Sequence, residues 1–472
     1  MVLEVSLLFK KFLALACASL FLFCPHALAR ASRSAFNQSA GPKQVSPFVL
    51  PIAKRDSLLN GLQLITMQQQ GTGTVTARLR VNSGALFDLA GKGGLASLTA
   101  EMVLKGGAGL NAKNVSETAE QLGLTLAVSA GWDTTDFSIS GPAESLDSIF
   151  DLFNRLIINP SFDQKEFDAL KAQHIATAKA QQLDDVEIIR RKGIEAVFGS
   201  HPLGRPALGT AESITQIGRA DLTYFHKRFY IANNAALMVT GDASAEQVTQ
   251  SARSKLGSWK KGEVVPATFR PPEAQSVPRL FIIDRPDATT ARAALAQIGP
   301  SRRADDYFAA VIMGEVLSQV NAKLASGNTG ATIETEIDPL LLPGPLIIKI
   351  KAATDDLLAL IQASLDQMTR LQSAQPAIEQ VEAAKSRLIS VMGERLKTTD
   401  GVASVMLDIE TYRLGRDYLI NFAERVNAVT PSDVQRAAQN YLKPQAAVTV
   451  IAGPAAKLEP MMKKLGAVTV LR

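Results

Sequence analysis

A pattern of identical residues recurs along this sequence at a nearly constant spacing. The identical pairs are Asp221 with Asp433, Ala235 with Ala447, and Gly241 with Gly453. Two further pairs, Lys171 with Lys385 and Ala169 with Ala383, keep almost the same spacing. Because the spacing holds across several segments in the same order, it predicts two structural halves of similar topology.

A proline-rich segment separates the two halves. Residues 260–278 contain Pro266, Pro271, Pro272 and Pro278. Proline at this density interrupts helices and inner strands, so the segment is predicted to be a linker. The resulting domains are residues 48–259 and residues 279–472.

Each half mixes strands and helices. Two hairpins are predicted, Leu62–Met67 with Val75–Val81 and Leu124–Ser129 with Thr134–Ser140. An apolar stripe at helical spacing ends before Asn159-Pro160, since the residue before proline avoids helical backbone. These patterns predict an α+β fold class, in which each half is a mostly antiparallel sheet with helices on one face.

Residues 1–29 have the composition of a secretory signal peptide. Lys10 and Lys11 precede an uncharged run from Phe12 to Cys24, and the triplet Ala27-Leu28-Ala29 is typical of a cleavage site. An uncleaved membrane anchor is the alternative, although the run is shorter than the ~20 residues that span a bilayer. We therefore expect export, to the bacterial periplasm, with residues 30–47 as a flexible leader.

The composition narrows the classes of partner. Cys17 and Cys24 both lie in the signal segment, so the exported chain has no thiol for a disulfide or a metal site. The net charge is only +5 and aromatic residues make up 6% of the chain, which excludes the basic, aromatic surface of a nucleic-acid binder. No later segment is apolar over the length of a membrane span, so none is expected in the mature chain.

Short motifs are spread in a fixed order through both halves. They are Gly94-Leu95-Ala96, Asn159-Pro160-Ser161-Phe162, His201-Pro202-Leu203-Gly204-Arg205-Pro206, Val239-Thr240-Gly241-Asp242, Asp284-Arg285-Pro286 and Val429-Thr430-Pro431. Their succession resembles the M16 metallopeptidase family, the group of pitrilysin, insulinase and the mitochondrial processing peptidase. The resemblance implies two similar α+β halves that close like a clamshell around a peptide.

The resemblance fails at the residues that would bind zinc. Catalytic M16 members have H-x-x-E-H on the first helix, where two histidines hold the metal and the glutamate activates its water. Ser97, Ala100 and Glu101 stand at those positions, and the third ligand would fall near Thr177 or Ala178. Since catalytic zinc needs three protein ligands, we expect no catalytic residue, no metal and no other cofactor at this site.

Three histidines remain outside the signal segment. His174 lies on the apolar stripe of a predicted helix, His201 begins a turn, and His226 follows two aromatic residues. None of them has a second histidine at metal-ligand spacing. Each is therefore interpreted as structural.

Peptide binding requires fewer specific side chains than catalysis does. In the M16 family the substrate adds as a strand to a sheet edge through main-chain hydrogen bonds. The matching edge here is Leu126, Ala127, Val128 and Ser129, with an ordinary covered strand as the alternative. Non-catalytic family members also supply an Arg and a Tyr that grip the substrate. Neither is present in the corresponding segment here, where Lys323 is the remaining cation.

Two functional hypotheses follow from the resemblance. The first is a degenerate M16-like subunit that pairs with an H-x-x-E-H-bearing chain and helps to form the chamber in which that partner cuts peptides or unfolded polypeptide. The second is a stand-alone periplasmic peptide-binding or scaffold protein on the same fold. Hydrolysis through an unrecognised site is a third hypothesis.

Overall fold

The computed structural model describes Phe48, residues 51–274 and residues 276–471. The predicted signal peptide (residues 1–29) and leader (residues 30–47) lie outside the described residues. Among the residues that are described, no helix is long and apolar enough to cross a membrane.

Within the described residues, the N-terminal half forms one large sheet and a small two-stranded ribbon. Its strands are β1 (Lys54–Ser57), β2 (Gln63–Gln68), β3 (Thr74–Val81), β4 (Gly106–Gly107), β5 (Leu110–Asn111), β6 (Thr125–Ala130), β7 (Thr135–Pro142) and β8 (Ala235–Gly241). Its helices are α1 (Leu95–Val103), α2 (Ala112–Gln121), α3 (Leu146–Leu152, continued by a π-helical turn at Phe153–Ile158), α4 (Gln164–Leu183), α5 (Asp185–Phe198), α6 (Ala211–Thr215), α7 (Arg219–Phe229) and α8 (Ala245–Leu256). The spatial order of the large sheet is β1-β2-β8-β3-β7-β6. Every neighbouring pair is antiparallel except β2 with β8.

The C-terminal half has the same architecture. Its strands are β9 (Arg279–Asp284), β10 (Thr290–Ile298), β11 (Thr332–Ile337), β12 (Pro345–Ala353), β13 (Val448–Gly453) and β14 (Val468–Leu471). Its helices are α9 (Tyr307–Ser326), α10 (Leu357–Ser373), α11 (Ile378–Arg395), α12 (Thr399–Thr411), α13 (Phe422–Asn427), α14 (Pro431–Tyr441) and α15 (Ala455–Met462). The sheet order is β11-β12-β10-β13-β9-β14, with β9 parallel to both of its neighbours. The predicted α+β class with two similar halves is confirmed.

The residues of the internal repeat occupy equivalent places in the two halves. Helices α7 and α14 each have an aspartate at the third position, Asp221 or Asp433, which accepts from the backbone N–H of the residue that caps the helix. Lys171 and Lys385 also have equivalent roles, because each ammonium group donates to a backbone carbonyl next to a helix end. The repeated residues thus fix helix ends.

One of the two predicted hairpins is correct. Strands β6 and β7 pair as expected around the turn at residues 131–134. Strands β2 and β3 do not pair with each other, since β8 lies between them and bonds to both. An inner strand that comes from a distant part of the chain has no local signal, so the prediction from neighbouring segments was wrong there.

Each half covers the second face of the other half's sheet with one helix. Along β3, Val75, Ala77 and Leu79 point into the core of their own half, and the alternate residues face α12. Reciprocally, Ile188, Ile189 and Ile194 of α5 pack on Ile347, Val448 and Val450 of the C-terminal sheet. Helices therefore lie on both faces of each sheet, and not on one face as predicted.

This exchange of helices brings the two halves into direct contact. The apolar second face of each sheet must be buried, and α5 and α12 cover these faces. The described residues accordingly belong to one compact unit. The halves are in direct contact, joined by residues 260–278, whose described part contains no helix or strand.

A network of ion pairs, buried around Arg80 and Asp136, reinforces the contact between the halves. Arg80 binds both oxygens of Asp136, at 2.6 and 2.7 Å, and reaches Asp408 of α12 at 2.7 Å. Arg78 likewise bridges Asp136 and Asp400, the latter at 3.0 Å. Burial alone would lower the pKa of Arg80, but the hydrogen bonds and charge of Asp136 and Asp408 raise it well above its ordinary value. Paired in this way, the charges are tolerated in the interior.

Candidate functional site

Helix α1 carries the positions of the zinc motif and is held firmly at its N-terminus. Asp88 accepts hydrogen bonds from the backbone N–H groups of Gly94 and Ala96, both at 2.8 Å. Burial raises the pKa of this carboxyl to about 7, against the opposing effect of these bonds and of Arg205. Gly94 has a left-handed backbone (φ 92°), and a Cβ there would lie 2.7 Å from the carbonyl oxygen of Leu208. Only glycine fits this entry to the helix.

The three motif positions lie on adjacent turns of α1 with different exposure. Ser97 is buried, with 3% of its surface exposed, and Ala100 is buried at 1%. The Glu101 side chain is partly open to solvent, and Ser97 Oγ donates to its Oε1 at 3.4 Å. Ser97 and Glu101 thus point the same way from the helix, as i and i+4 residues do.

Helix α4 adds His174 to this pair. His174 Nε2 lies 3.0 Å from Glu101 Oε1, and the imidazole is largely buried, with 11% of the side chain exposed. Burial tends to raise the pKa of Glu101, but the hydrogen bond and charge of His174 outweigh it and lower the pKa below its ordinary value. Ser97, Glu101 and His174 are called here the α1–α4 cluster. Their side chains are linked through the Glu101 carboxylate, which contacts both of the others.

The α1–α4 cluster does not fit a catalytic zinc ion. It offers one imidazole and one carboxylate, with a neutral hydroxyl as the third group, whereas zinc sites use three strong N, S or O ligands and an open position. Across the described part of the chain, no group of three or more His, Cys, Asp and Glu side chains could hold a metal. Ala178, one turn beyond His174, is buried against Ala211 and Ile214 and supplies no ligand atom.

The cluster also lacks the order of groups that a nucleophile requires. A serine nucleophile needs a base that takes its proton, and this base is in turn oriented by a third group. Here the carboxylate of Glu101 lies between the Ser97 hydroxyl and the His174 imidazole, because it is the hydrogen-bond partner of both. Ala100, where catalytic relatives have their glutamate, cannot move a proton.

The predicted peptide-binding segment is an edge strand. Strand β6 contains Leu126, Ala127, Val128 and Ser129 and pairs only with β7, so its other edge is unpaired in the described sheet. Leu126 and Val128 face the core, while Ala127 and Ser129 are exposed. Helix α1 packs against this strand. The open edge and the α1–α4 cluster therefore lie on neighbouring elements.

The other predicted residues do not take part in the α1–α4 cluster. Lys323 is exposed in the last turn of α9, in the C-terminal half, and its ammonium group makes no ion pair within the described residues. His201 accepts from the backbone N–H of Leu203 and shapes a turn. His226 is buried, 2.7 Å from the carbonyl of Ile157. Both of these histidines therefore hold local backbone in place.

Two family models match the chain in succession. Residues 64–211 match the model described as "Insulinase (Peptidase family M16)", and residues 216–388 match "Peptidase M16 inactive domain". Together they cover more than half of the chain. The chain belongs to the M16 peptidase family.

Relatives with curated descriptions include zinc proteases and processing-peptidase subunits. A protein of Rickettsia bellii described as an uncharacterized zinc protease is 25% identical over 44% of this M16 chain and 50% of its own length. The mitochondrial-processing peptidase subunit beta of Blastocladiella emersonii is 23% identical over 90% of this chain and 93% of its own. The chain thus spans only about half of the Rickettsia protein, and 59% of the corresponding beta subunit of Caenorhabditis elegans.

Solved structures have the same fold. A peptidase M16 inactive domain from Pseudomonas fluorescens superposes with a TM-score of 0.79 and 21% identity, over 85% of this M16 chain and 98% of that one. The first half of the periplasmic protease PqqL from Escherichia coli gives a TM-score of 0.68 and 17% identity, over 90% and 100% of the two chains. At these identities the likeness establishes the fold.

The contact between Glu101 and His174 was missed from the sequence. The two residues are far apart in the chain and neither belongs to a metal-ligand spacing. One signal was available, because His174 precedes Thr177 and Ala178, the expected place of the third zinc ligand, by about one turn. A polar residue one turn from an expected ligand lies near the same site when it is on a helix.

Proposed function

We propose that this M16 chain is a catalytically degenerate peptidase subunit that acts with a second, H-x-x-E-H-bearing chain in the bacterial periplasm. The observation that carries the proposal is the α1–α4 cluster. Where a catalytic member would hold zinc and the glutamate that activates water, this chain has the linked side chains of Ser97, Glu101 and His174, and Ala100. The scaffold around it is intact, with a capped α1 and an open β6 edge.

The direct packing of the two halves supports a role beside a second chain. Helices α5 and α12 cover the apolar second faces of the two sheets, so the halves are packed directly against each other. In the proposed assembly, the chamber forms where another chain faces this one. Relatives described as subunits of a processing peptidase and a matching chain in a complex III structure are consistent with such an assembly.

The open edge of β6 supports a role in holding peptide. Main-chain N–H and C=O groups provide the bonds of strand addition, so loss of the zinc ligands leaves this capacity in place. Ala127 and Ser129 leave small side chains beside the edge, which an added strand can approach. The same edge supports the second candidate, a stand-alone peptide-binding protein.

Co-expression with an H-x-x-E-H-bearing M16 chain from the same genome tests the proposal. We expect a stable heterodimer in gel filtration, and cleavage of a quenched fluorescent peptide only when both chains are present. Glu101→Gln in this chain should leave that cleavage unchanged, whereas replacing the motif glutamate of the partner should abolish it. Failure of the two chains to associate, with peptide bound by this chain alone, would favour the stand-alone candidate. Cleavage by this chain alone would contradict both.

A further inference from the structure

A cavity rich in arginine and tyrosine lies in the C-terminal half, apart from the α1–α4 cluster. It has a volume of about 620 Å³ and is lined by Arg302, Arg303, Tyr307, Tyr412, Arg413 and Tyr418, among others. This volume is within the range of small-molecule sites, roughly 300–1,000 Å³. Arg425 also contributes, while Asp305 is the one carboxylate among the described lining residues.

Three of the arginines have no acidic partner within the described residues. Arg425 pairs with Asp417 at 3.4 Å, but no carboxylate oxygen of the described chain lies within 4.0 Å of Arg302, Arg303 or Arg413. Burial lowers the pKa of Arg303, and the positive charge of Arg413 lowers it further. Asp408 acts on Arg302, and Asp133 on Arg303, only from beyond ion-pair distance. Cations that are grouped without directly bound acids attract anions.

Neighbouring aromatic and backbone groups fix two of these guanidinium groups in position. Arg302 lies 4.1 Å from the centroid of the Tyr307 ring and 5.2 Å from that of Tyr418, and it donates to Tyr418 Oη at 2.8 Å. Arg303 donates to the carbonyls of Thr411 and Tyr412, at 3.0 and 2.9 Å. The two bonds from Arg303 satisfy backbone carbonyls at the end of α12. Other N–H groups of both arginines have no acceptor in the described chain. Such pre-positioning reduces the entropy lost on binding.

The donors match one class of ligand best. Arginine presents a planar fork that binds phosphate and carboxylate oxygens in pairs. Three neighbouring guanidinium groups, and a cavity larger than a single phosphate requires, favour a ligand with several anionic oxygens on adjacent centres. We propose that this cavity binds a small molecule that carries a diphosphate group, held by Arg302, Arg303 and Arg413.

Calorimetric titration of the mature chain with inorganic pyrophosphate, in metal-free buffer, tests the site. Arg303→Gln/Arg413→Gln removes two exposed cations and should weaken binding tenfold or more, a loss of about 1.4 kcal/mol. Arg370→Gln is the matched control, because Arg370 is exposed and lies outside the cavity. It should change the affinity less than twofold. Equal melting temperatures of the three proteins would show that folding is intact.

Competing anions set the outcomes that would overturn the proposal. Orthophosphate and citrate should each bind at least tenfold more weakly than pyrophosphate. Tighter binding of citrate would show a polycarboxylate site, and equal binding of orthophosphate would show that the second phosphate makes no contact. An affinity that falls as much in Arg370→Gln as in the double variant, or no binding of pyrophosphate at all, would also refute it.

Discussion

Removing the Asp136 carboxylate should cost more stability than removing the Asp400 carboxylate, which binds the same network from the other half. Asp136 accepts from both Arg78 and Arg80, and only 9% of its side chain is exposed, against 5% for Arg80. Asp136→Ala leaves Arg80 buried with a single acidic partner, Asp408. Breaking a buried ion pair in this way costs about 3–5 kcal/mol.

Two further variants in the same ion-pair network, Asp400→Ala and Arg80→Met, provide the comparison with Asp136→Ala. Asp400 binds Arg78 but is 53% exposed, so Asp400→Ala should cost no more than about 1 kcal/mol. Arg80→Met should fall between the two, because Asp136 keeps its contact with Arg78 at 3.0 Å. The expected order of destabilisation is therefore Asp136→Ala, then Arg80→Met, then Asp400→Ala.

Equilibrium unfolding in urea, followed by circular dichroism, measures these differences. A stability loss should appear as a lower midpoint with an unchanged dependence on urea concentration. Because the halves share buried apolar clusters, we expect one transition in all four proteins. The reasoning would be refuted by an Asp136→Ala variant within about 1 kcal/mol of the parent chain, or by Asp400→Ala losing as much as Asp136→Ala.

Three further outcomes are expected. Asp88 has a pKa raised from 3.8 to about 7, so its contribution to stability is present below pH 3.8 and is lost as the pH rises to about 7. The melting temperature of the parent chain relative to that of Asp88→Asn should therefore fall over that interval. A constant or rising difference would contradict the assignment. Glu101 has a pKa below 4.5, so its pairing with His174 stabilises the fold above that pH and is lost as the pH falls below it. The difference in stability between the parent chain and Glu101→Gln should therefore shrink on acidification. A difference that grows would be the contrary result. Successive N–H groups of a strand point to opposite edges, so Ala127→Pro and Val128→Pro should have different effects. One variant should lose stability because it breaks the β6–β7 pairing, and the other should lose only peptide binding, measured by fluorescence anisotropy. If both variants retain full peptide binding, β6 is excluded as the binding edge.

Local signals in the sequence predicted local structure well. Asn159-Pro160 ends the helical segment as expected. The β6–β7 hairpin formed because its two strands and its turn are contiguous in the chain. The repeat, although non-local, was visible since equivalent helix ends use equivalent residues, such as Asp221 and Asp433.

Features that depend on distant segments were not predictable from one sequence. The insertion of β8 between β2 and β3 and the exchange of α5 and α12 depend on which apolar faces meet, and many pairs of segments have suitable faces. The Glu101–His174 contact joins two helices for the same reason. The positions of Ser97, Ala100 and Glu101 on one helix could be predicted, because they are local to the motif.

The zinc content of the purified chain tests the central claim most directly. After incubation with excess zinc and gel filtration, metal analysis should find far less than one zinc per chain, and a peptide substrate should stay intact. A matched H-x-x-E-H-bearing M16 chain treated in parallel should retain one zinc and cleave the peptide. One zinc retained per chain here, with cleavage that a chelator stops and that Glu101→Gln abolishes, would contradict the account.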